Sequence, residues 1–468
     1  MNTLKYTILL LLGWLASYLL AAILTEVGVF VLVALVGVLA ALTVFLQPVF
    51  GAYLLALSIP LEAVLMPHQD ISWAKLVGLG VGSAWFLRKL VRRGSFDSIL
   101  ESHMLWAACV FVLFVISSLL WVQSYVPPLL TILQFPQLLV LAIVVYDLLE
   151  NWRQVERLVQ FLLAGGLICS ILTLYQAFGE GVRRAGGDVT GGINTTAAMI
   201  VEILPFAFCL MRSSSGHWVR WLAWAYFIVA PVAVSVTFSR TNYLMLLVVF
   251  VFCAWRLVSE GEGGRLFLTL ATLTLVTLLA VPWSAVATRG ASVVTLLGIT
   301  QEIEPADSGR FFHWAVAVEI FKDHPVLGAG YQNFGHLAWT RYQMVVPGAP
   351  GRFGSARSPH SSILGLLSDL GLVGLALWMW LQIAAFRNLL SAKPDREPNN
   401  LRAREIRWAV MVSLTILFLN SFVTDNFDHK ILWLILALTQ TVRRLLQAAP
   451  ILAALRQNPQ LQTVTASF

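Results

Sequence analysis

Residues 218–255 read WVRWLAWAYFIVAPVAVSVTFSRTNYLMLLVVFVFCAW. Two apolar runs, 218–238 and 242–255, are parted only by Ser239-Arg240-Thr241. An α-helix rises about 1.5 Å per residue, so about 20 apolar residues cross the roughly 30 Å hydrocarbon core of a bilayer. The stretch therefore reads as two membrane-spanning helices turning at the membrane boundary. Comparable runs occupy 7–24, 28–46, 48–65, 73–86, 104–122, 129–149, 158–178 and 195–211 before it, and 266–287, 362–386, 408–422 and 431–446 after it. The expected fold is all-α, a polytopic transmembrane helical bundle of about 12–14 spans. The first run lacks a small-residue cleavage site and is followed at once by another span, so it is expected to remain as a helix.

Composition supports this reading. Of 468 residues, 58% are hydrophobic and 12% charged, against about 45–50% and about 25% in a soluble domain. A water-soluble enzyme is excluded. Cys109, Cys169, Cys209 and Cys253 all lie inside apolar runs, at no metal-like spacing, and read as small buried side chains. The net charge of +7 does not mark a nucleic-acid partner, because the basic residues fall between apolar runs rather than in one tract. Membrane lipids are the expected surroundings. With the N-terminus inside, twenty of the 31 lysines and arginines lie on the inner side, against four in the short outer connections, which fixes the orientation by the positive-inside rule. Five segments follow. They are N-terminal helices at 1–178, central helices with short arginine-bearing outer loops at 179–287, a long outer loop at 288–359, C-terminal helices at 360–447, and an inner tail at 448–468.

The long loop has a helical pattern of its own. Asp307-Ser308-Gly309 offers capping groups, Phe311, Trp314, Val318 and Phe321 recur at helical spacing, and Asp323-His324-Pro325 ends the run. An amphipathic helix on the outer interface is expected. A second outer loop, 179–192, is glycine-rich and carries Arg183-Arg184. Within spans, Lys75, Glu202 and Asp369 need partners, because an isolated ion in hydrocarbon is costly; Lys75 with Glu202 is one structural pair the sequence allows, without showing that the two meet.

Orientation places Arg183, Arg184, Arg240, Arg310, His324, His336 and His360 on one side. A guanidinium held at the membrane boundary is a functional candidate, with snorkelling to headgroups as the ordinary alternative. Arginine suits phosphate because its planar fork donates two parallel hydrogen bonds and never deprotonates. Several such groups on one face point to a phosphate or diphosphate at the lipid boundary. His360, opening a span after Pro359, is the candidate base, since a helix N-terminus disfavours imidazolium and leaves a neutral acceptor. His324 and His336 are candidate acceptor or loop contacts. The histidines are spaced too widely for one helix face and no His-Glu-x-x-His is present, so no metal site and no cofactor are expected.

Gly309-Arg310, Trp314, His324-Pro325, Gly328-x-Gly330, Pro359-His360-Ser361, and Leu364 through Gly371 and Gly374 together resemble the bacterial O-antigen ligase and polymerase superfamily. Gly186-Gly187 before Asn194-Thr195-Thr196-Ala197, and Ser239-Arg240-Thr241-x-Tyr243, resemble two further segments of that family. Ser361 stands where the family often has asparagine, and Ile193 where it often has proline. The resemblance implies a multi-pass enzyme of the bacterial cytoplasmic (inner) membrane with its active site and long loop on the periplasmic side. It implies an undecaprenyl-diphosphate-linked glycan as donor and transfer without a metal. Arg240 and Arg310 would hold the donor diphosphate, Arg183 and Arg184 would assist, Asn194 would contact the acceptor or loop, and His360 would deprotonate the acceptor hydroxyl. Fixed guanidinium groups stabilise the charge left on a departing diphosphate, and one direct displacement inverts the anomeric centre.

Within this chemistry, the acceptor is lipid A-core for an O-antigen ligase, another lipid-linked repeat unit for a polymerase, and a protein hydroxyl for a protein O-oligosaccharyltransferase. One long loop with one short arginine-bearing loop favours the ligase. A lipid-linked glycan transporter belongs to a different class, which usually shows paired repeats and interrupted helices near mid-membrane.

Overall fold

The computed structural model describes residues 43–44, 46–62, 73–91, 95–125, 129, 131–182, 185–186, 192–214, 216–262, 310–342, 358–391 and 401–457. These residues are 83% helical and contain no strand. The main helices are α1 (Pro48–Ser58), α2 (Trp73–Val91), α3 (His103–Ser117), α4 (Gln134–Leu148), α5 (Trp152–Phe178) and α6 (Ile193–Ser213). They continue with α7 (His217–Thr237), α8 (Arg240–Ser259), α9 (Arg310–Asp323), α10 (Ser362–Ser391), α11 (Leu401–Asn420) and α12 (Lys430–Gln457). Six of these, α3 with its following turn, α5, α6, α7, α8 and α10, are long and apolar enough to cross a membrane, and α1 and α4 are shorter apolar helices. The protein is thus an all-α polytopic bundle. The expected spans at 7–24 and 266–287, most of 28–46, and the loop segment 288–309 lie outside the described residues.

Every residue of α6 from 196 to 210 is buried, which makes α6 the central helix, packed by α5, α7, α8 and α11. Glu202 on α6 has a partner other than Lys75. Its Oε1 accepts from Asn420 Nδ2 at 3.3 Å, and Ser413 donates to its backbone carbonyl at 2.7 Å. Lys75 instead stands near the Lys430–Glu62 ion pair. Asn420 ends α11, so the carboxylate is met by a neutral donor from a helix that already packs on α6, and no lysine has to be drawn into the core.

The residues assigned to inner connections gather at one end of the bundle. Glu405 is fully buried there and receives Arg212 at 3.3 Å and Arg256 at 2.8 Å. Arg212 also pairs with Glu260 and Glu262, and Arg404 reaches Glu260 at 3.1 Å. Arg444 donates to the carbonyls of Tyr146 and Leu149 at 2.7 Å, and Arg407 to that of Leu389 at 2.7 Å. These last contacts satisfy carbonyl groups that a helix C-terminus leaves without an internal partner.

The opposite end is organised by a break in α10. Gly371 has φ 65° and ψ −164°, so the helix stops and restarts there. The loop after α9 fills the gap. Leu372 N donates to Pro325 O at 2.9 Å, while Ala329 N and Gly330 N donate to Ser368 O and Asp369 O at 2.9 and 2.8 Å. A Cβ on Gly328 would lie 2.3 Å from the Asp369 backbone, and one on Gly371 would lie 2.3 Å from Val326 O. Backbone meets backbone at a distance only glycine permits. The Asp369 side chain completes the clasp, accepting from Gln332 N and Phe334 N, each at 2.9 Å.

Helix α9 forms at the expected place but buries a different face. His313, Val316, Ala317 and Ile320 are buried, and Val318 is exposed. The apolar stripe through Trp314 and Val318 is therefore not the packing face. The loop from 324 to 342 wraps one side of α9 and α10 packs against it, while Val318 faces the open side.

Glu405→Ala leaves two guanidinium groups facing a site that has lost its buried carboxylate. The expected cost is about 3 kcal/mol, read as a lowered midpoint of unfolding in detergent, with Glu405→Gln less affected.

Candidate functional site

The site end holds two clusters. In the first, the chain turns from α7 into α8 through Phe238 and Ser239 alone, because Arg240 is already the first residue of α8. Phe238 ends α7 in the left-handed region at φ 53°, a conformation that usually calls for glycine. Asn242, fully buried, donates to Ser239 Oγ at 2.8 Å and to Asn194 O at 3.1 Å. Ser239 makes no side-chain cap to the helix, so the positive end of α8 lies beside the exposed Arg240. Tyr243 donates to Ser235 O at 2.6 Å. Thr196 Oγ1 donates to Gly186 O at 2.5 Å, and Ala185 N to Val236 O at 3.3 Å. The segments around Gly186, Asn194 and Arg240, far apart in sequence, are thus fastened together. Arg183 and Arg184 lie outside the described residues.

The second cluster surrounds the start of α10. Ser361 Oγ accepts from Leu364 N at 3.4 Å, and its carbonyl accepts from Gly365 N at 2.8 Å, the geometry of an N-cap. Serine and asparagine are equally good caps, so the position where the related family often has asparagine keeps its local role here. His360 consequently lies outside the helix, where the helix dipole acts more weakly than it does on the first turn. It is exposed, with φ 56°. Its ring meets that of His313 on α9 edge to face, with centroids 5.7 Å apart.

Beneath this turn sits Asp425, from the connection between α11 and α12. Both its carboxylate oxygens are buried without a hydrogen-bond partner among the described residues, with Ser358 Oγ and the N–H groups of His360 and Ser361 nearby. Burial pushes its pKa up to about 6, with the neighbouring Asp428 adding to the rise and those donors opposing it. Ser362 N donates to Ser421 O, and Asn426 N to Ser362 Oγ, both at 2.8 Å. The His360 turn is therefore seated on the α11–α12 connection.

His324 follows α9 and starts the clasp, its carbonyl accepting from Gly328 N at 3.1 Å. Its part-buried ring has Nε2 without a hydrogen-bond partner among the described residues. His336 is part-buried in the helical turn Phe334–Leu337. The side chain of Arg310 lies outside the described residues; its backbone opens α9, one turn before His313. The clasp is tied to the end of α3, where Asn333 Oδ1 accepts from Gln123 N and Ser124 N at 3.2 and 3.0 Å.

Among the described residues, the non-glycine positions with positive φ are Phe238, Gln332 and His360. One lies in each of the α7–α8 turn, the clasp and the α10 entrance, all at the same end of the bundle. Such backbone strain persists only where the surroundings over-determine it, and it concentrates at functional sites. His313 and Asp425 are site residues that the sequence reading missed. The signal for His313 was its place one turn after Arg310, and Asp425 carried none short of the fold.

The fold and this strained polar end define a multi-pass helical membrane protein with its unusual chemistry at one end. Residues 225–379, about a third of the chain, match the family model described as O-antigen ligase, which supports the likeness to the O-antigen ligase-like superfamily. The match takes in the α7–α8 turn, α9, the clasp and the His360 turn, whereas Asn194 and Asp425 fall outside it. At the coarse level the match supports a membrane enzyme of the glycan ligase or polymerase type. No curated protein matches the chain.

A carboxyl whose pKa is raised on folding binds more protons in the native state than in the unfolded one, so stability falls as pH rises through the interval. For Asp425 that interval runs from the ordinary carboxylate range near pH 4 to about 6. Unfolding midpoints in detergent should drop across this window in the wild type, and Asp425→Asn should flatten the profile.

Proposed function

We propose that the protein is a metal-independent, inverting glycosyltransferase that moves a glycan from undecaprenyl diphosphate to an acceptor hydroxyl on the periplasmic face. Lipid A-core is the proposed acceptor, which makes it an O-antigen ligase. The observation carrying this reading is the placement of His360. An exposed imidazole stands outside its helix in strained backbone, over the buried Asp425 and against His313, within the stretch that matches the ligase family.

In this reading the acceptor hydroxyl gives its proton to His360 as its oxygen bonds to the anomeric carbon. The bond from that carbon to the diphosphate oxygen breaks with its electron pair, leaving undecaprenyl diphosphate with one more negative charge. Arg240, beside the positive end of α8, and Arg310 stabilise that charge. His313 orients the His360 ring, and Ser358 Oγ accepts from His360 N in the turn that carries it. The interruption of α10 speaks against a transport pathway, because its freed backbone groups are taken up by the loop from 325 to 330.

The test is transfer by purified protein from undecaprenyl-diphosphate glycan to lipid A-core, with no ion gradient. His360→Ala should lower the rate by about 10²–10⁴-fold while donor binding survives. Arg240→Ala should weaken donor binding or slow the chemical step. Wild-type turnover in His360→Ala would remove the base assignment, and product formed only with lipid-linked repeats or a protein as acceptor would replace the ligase by a polymerase or a protein-glycosylating enzyme. Activity should survive chelation of divalent metals; loss on chelation that magnesium restores would overturn the metal-free mechanism.

A further inference from the structure

At the arginine-rich end, remote from the His360 turn, a cavity of about 240 Å³ is lined by Arg153, Arg157 and Arg402 together with Glu156, Gln160 and Ser214. A neighbouring hollow shares Arg153 and Arg402 and adds Trp152 to its wall. We propose that this cavity binds the phosphate of an anionic phospholipid headgroup.

Charge is the first argument. Elsewhere at this end Arg212 and Arg256 are paired with Glu405 and Glu260, and Arg407 and Arg444 with backbone carbonyls. Here Glu156 pairs with Arg402 at 2.7 Å, while among the described residues no acid pairs with Arg153 or Arg157. Arg157 is set beside the Tyr53 hydroxyl, which positions the guanidinium without neutralising it. The cavity keeps a surplus of positive charge that an anion would balance.

Backbone geometry adds to it. The N-termini of α5, α7 and α11 all border the cavity, through Arg153, Gly216 and Arg402. Each presents amide groups and a partial positive charge. The start of α7 has no side-chain cap, so its first amides are not taken up by a capping residue. Guanidinium forks beside helix N-termini form the donor set that phosphate prefers.

Depth selects a lipid over a soluble phosphate. On the opening turns of α7, Trp218 and Trp221 are 88% and 71% exposed. Exposed tryptophans of this kind settle at the headgroup level of a bilayer, which sets the cavity at the height of lipid phosphates. Basic pockets between helices at this depth are a recognised way of holding acidic headgroups.

The test is native mass spectrometry and thermal unfolding of the full chain with phosphatidylglycerol, phosphatidylcholine or inorganic phosphate. Phosphatidylglycerol should stay bound and raise the unfolding midpoint, with phosphatidylcholine and inorganic phosphate giving little. The double variant Arg153→Gln, Arg157→Gln should bind phosphatidylglycerol about tenfold more weakly and keep its fold and glycan transfer. Arg220→Gln, which removes an exposed charge from the same end outside the cavity, should bind as the wild type does. Equal retention of both lipids, undiminished binding by the double variant, or an equal loss in Arg220→Gln would overturn the site. A midpoint shift produced in full by inorganic phosphate would overturn the lipid as its ligand.

Discussion

A helix that breaks inside a membrane protein must have its freed N–H and C=O groups satisfied by protein, because lipid offers no hydrogen bonds. This constraint governs the functional end of the molecule. The interruption of α10 at Gly371 exists only because the loop from 325 to 330 supplies backbone partners on both sides of it. The same loop is fixed by Asp369 from α10 and, through Asn333, by the end of α3. The clasp thereby sets where α9 lies against α10, and so where His313 meets His360. A charged residue within a span is costly, and Asp369 is tolerated because two backbone N–H groups converge on it.

The two ends of the bundle solve the burial of polar groups in different ways. At one end, carboxylates and guanidiniums neutralise each other around Glu405, and arginines cap the carbonyl ends of neighbouring helices. At the other end, serines, asparagines and backbone groups do most of the fastening, as in Asn242 with Asn194 and Ser362 with Asn426.

Much of this was legible in the sequence. Uninterrupted apolar runs announce spans, and Arg212, Arg256, Arg402 and Arg404, from three different connections, gather at one end. The helix at 310–323 was readable from its caps and spacing. Its buried face was not, because Trp314 and Val318 are as apolar as Val316 and Ile320, and only the wrapping of the later loop decides between them. The partner of Glu202 was not legible for a similar reason: a neutral asparagine at the end of a distant helix leaves no charge signal to match. Arg240 as the first residue of α8, rather than part of a looser connection, depends on Phe238 taking a left-handed conformation that its side chain does not advertise.

The seating of Ser362 on Ser421 and Asn426, with Asp425 beneath the His360 turn, makes the last helical pair a foundation for that turn. The stretch that carries the family signature ends at 379, short of every one of those supports. A fragment cut to the signature's limits would keep the imidazole and lose the floor it rests on.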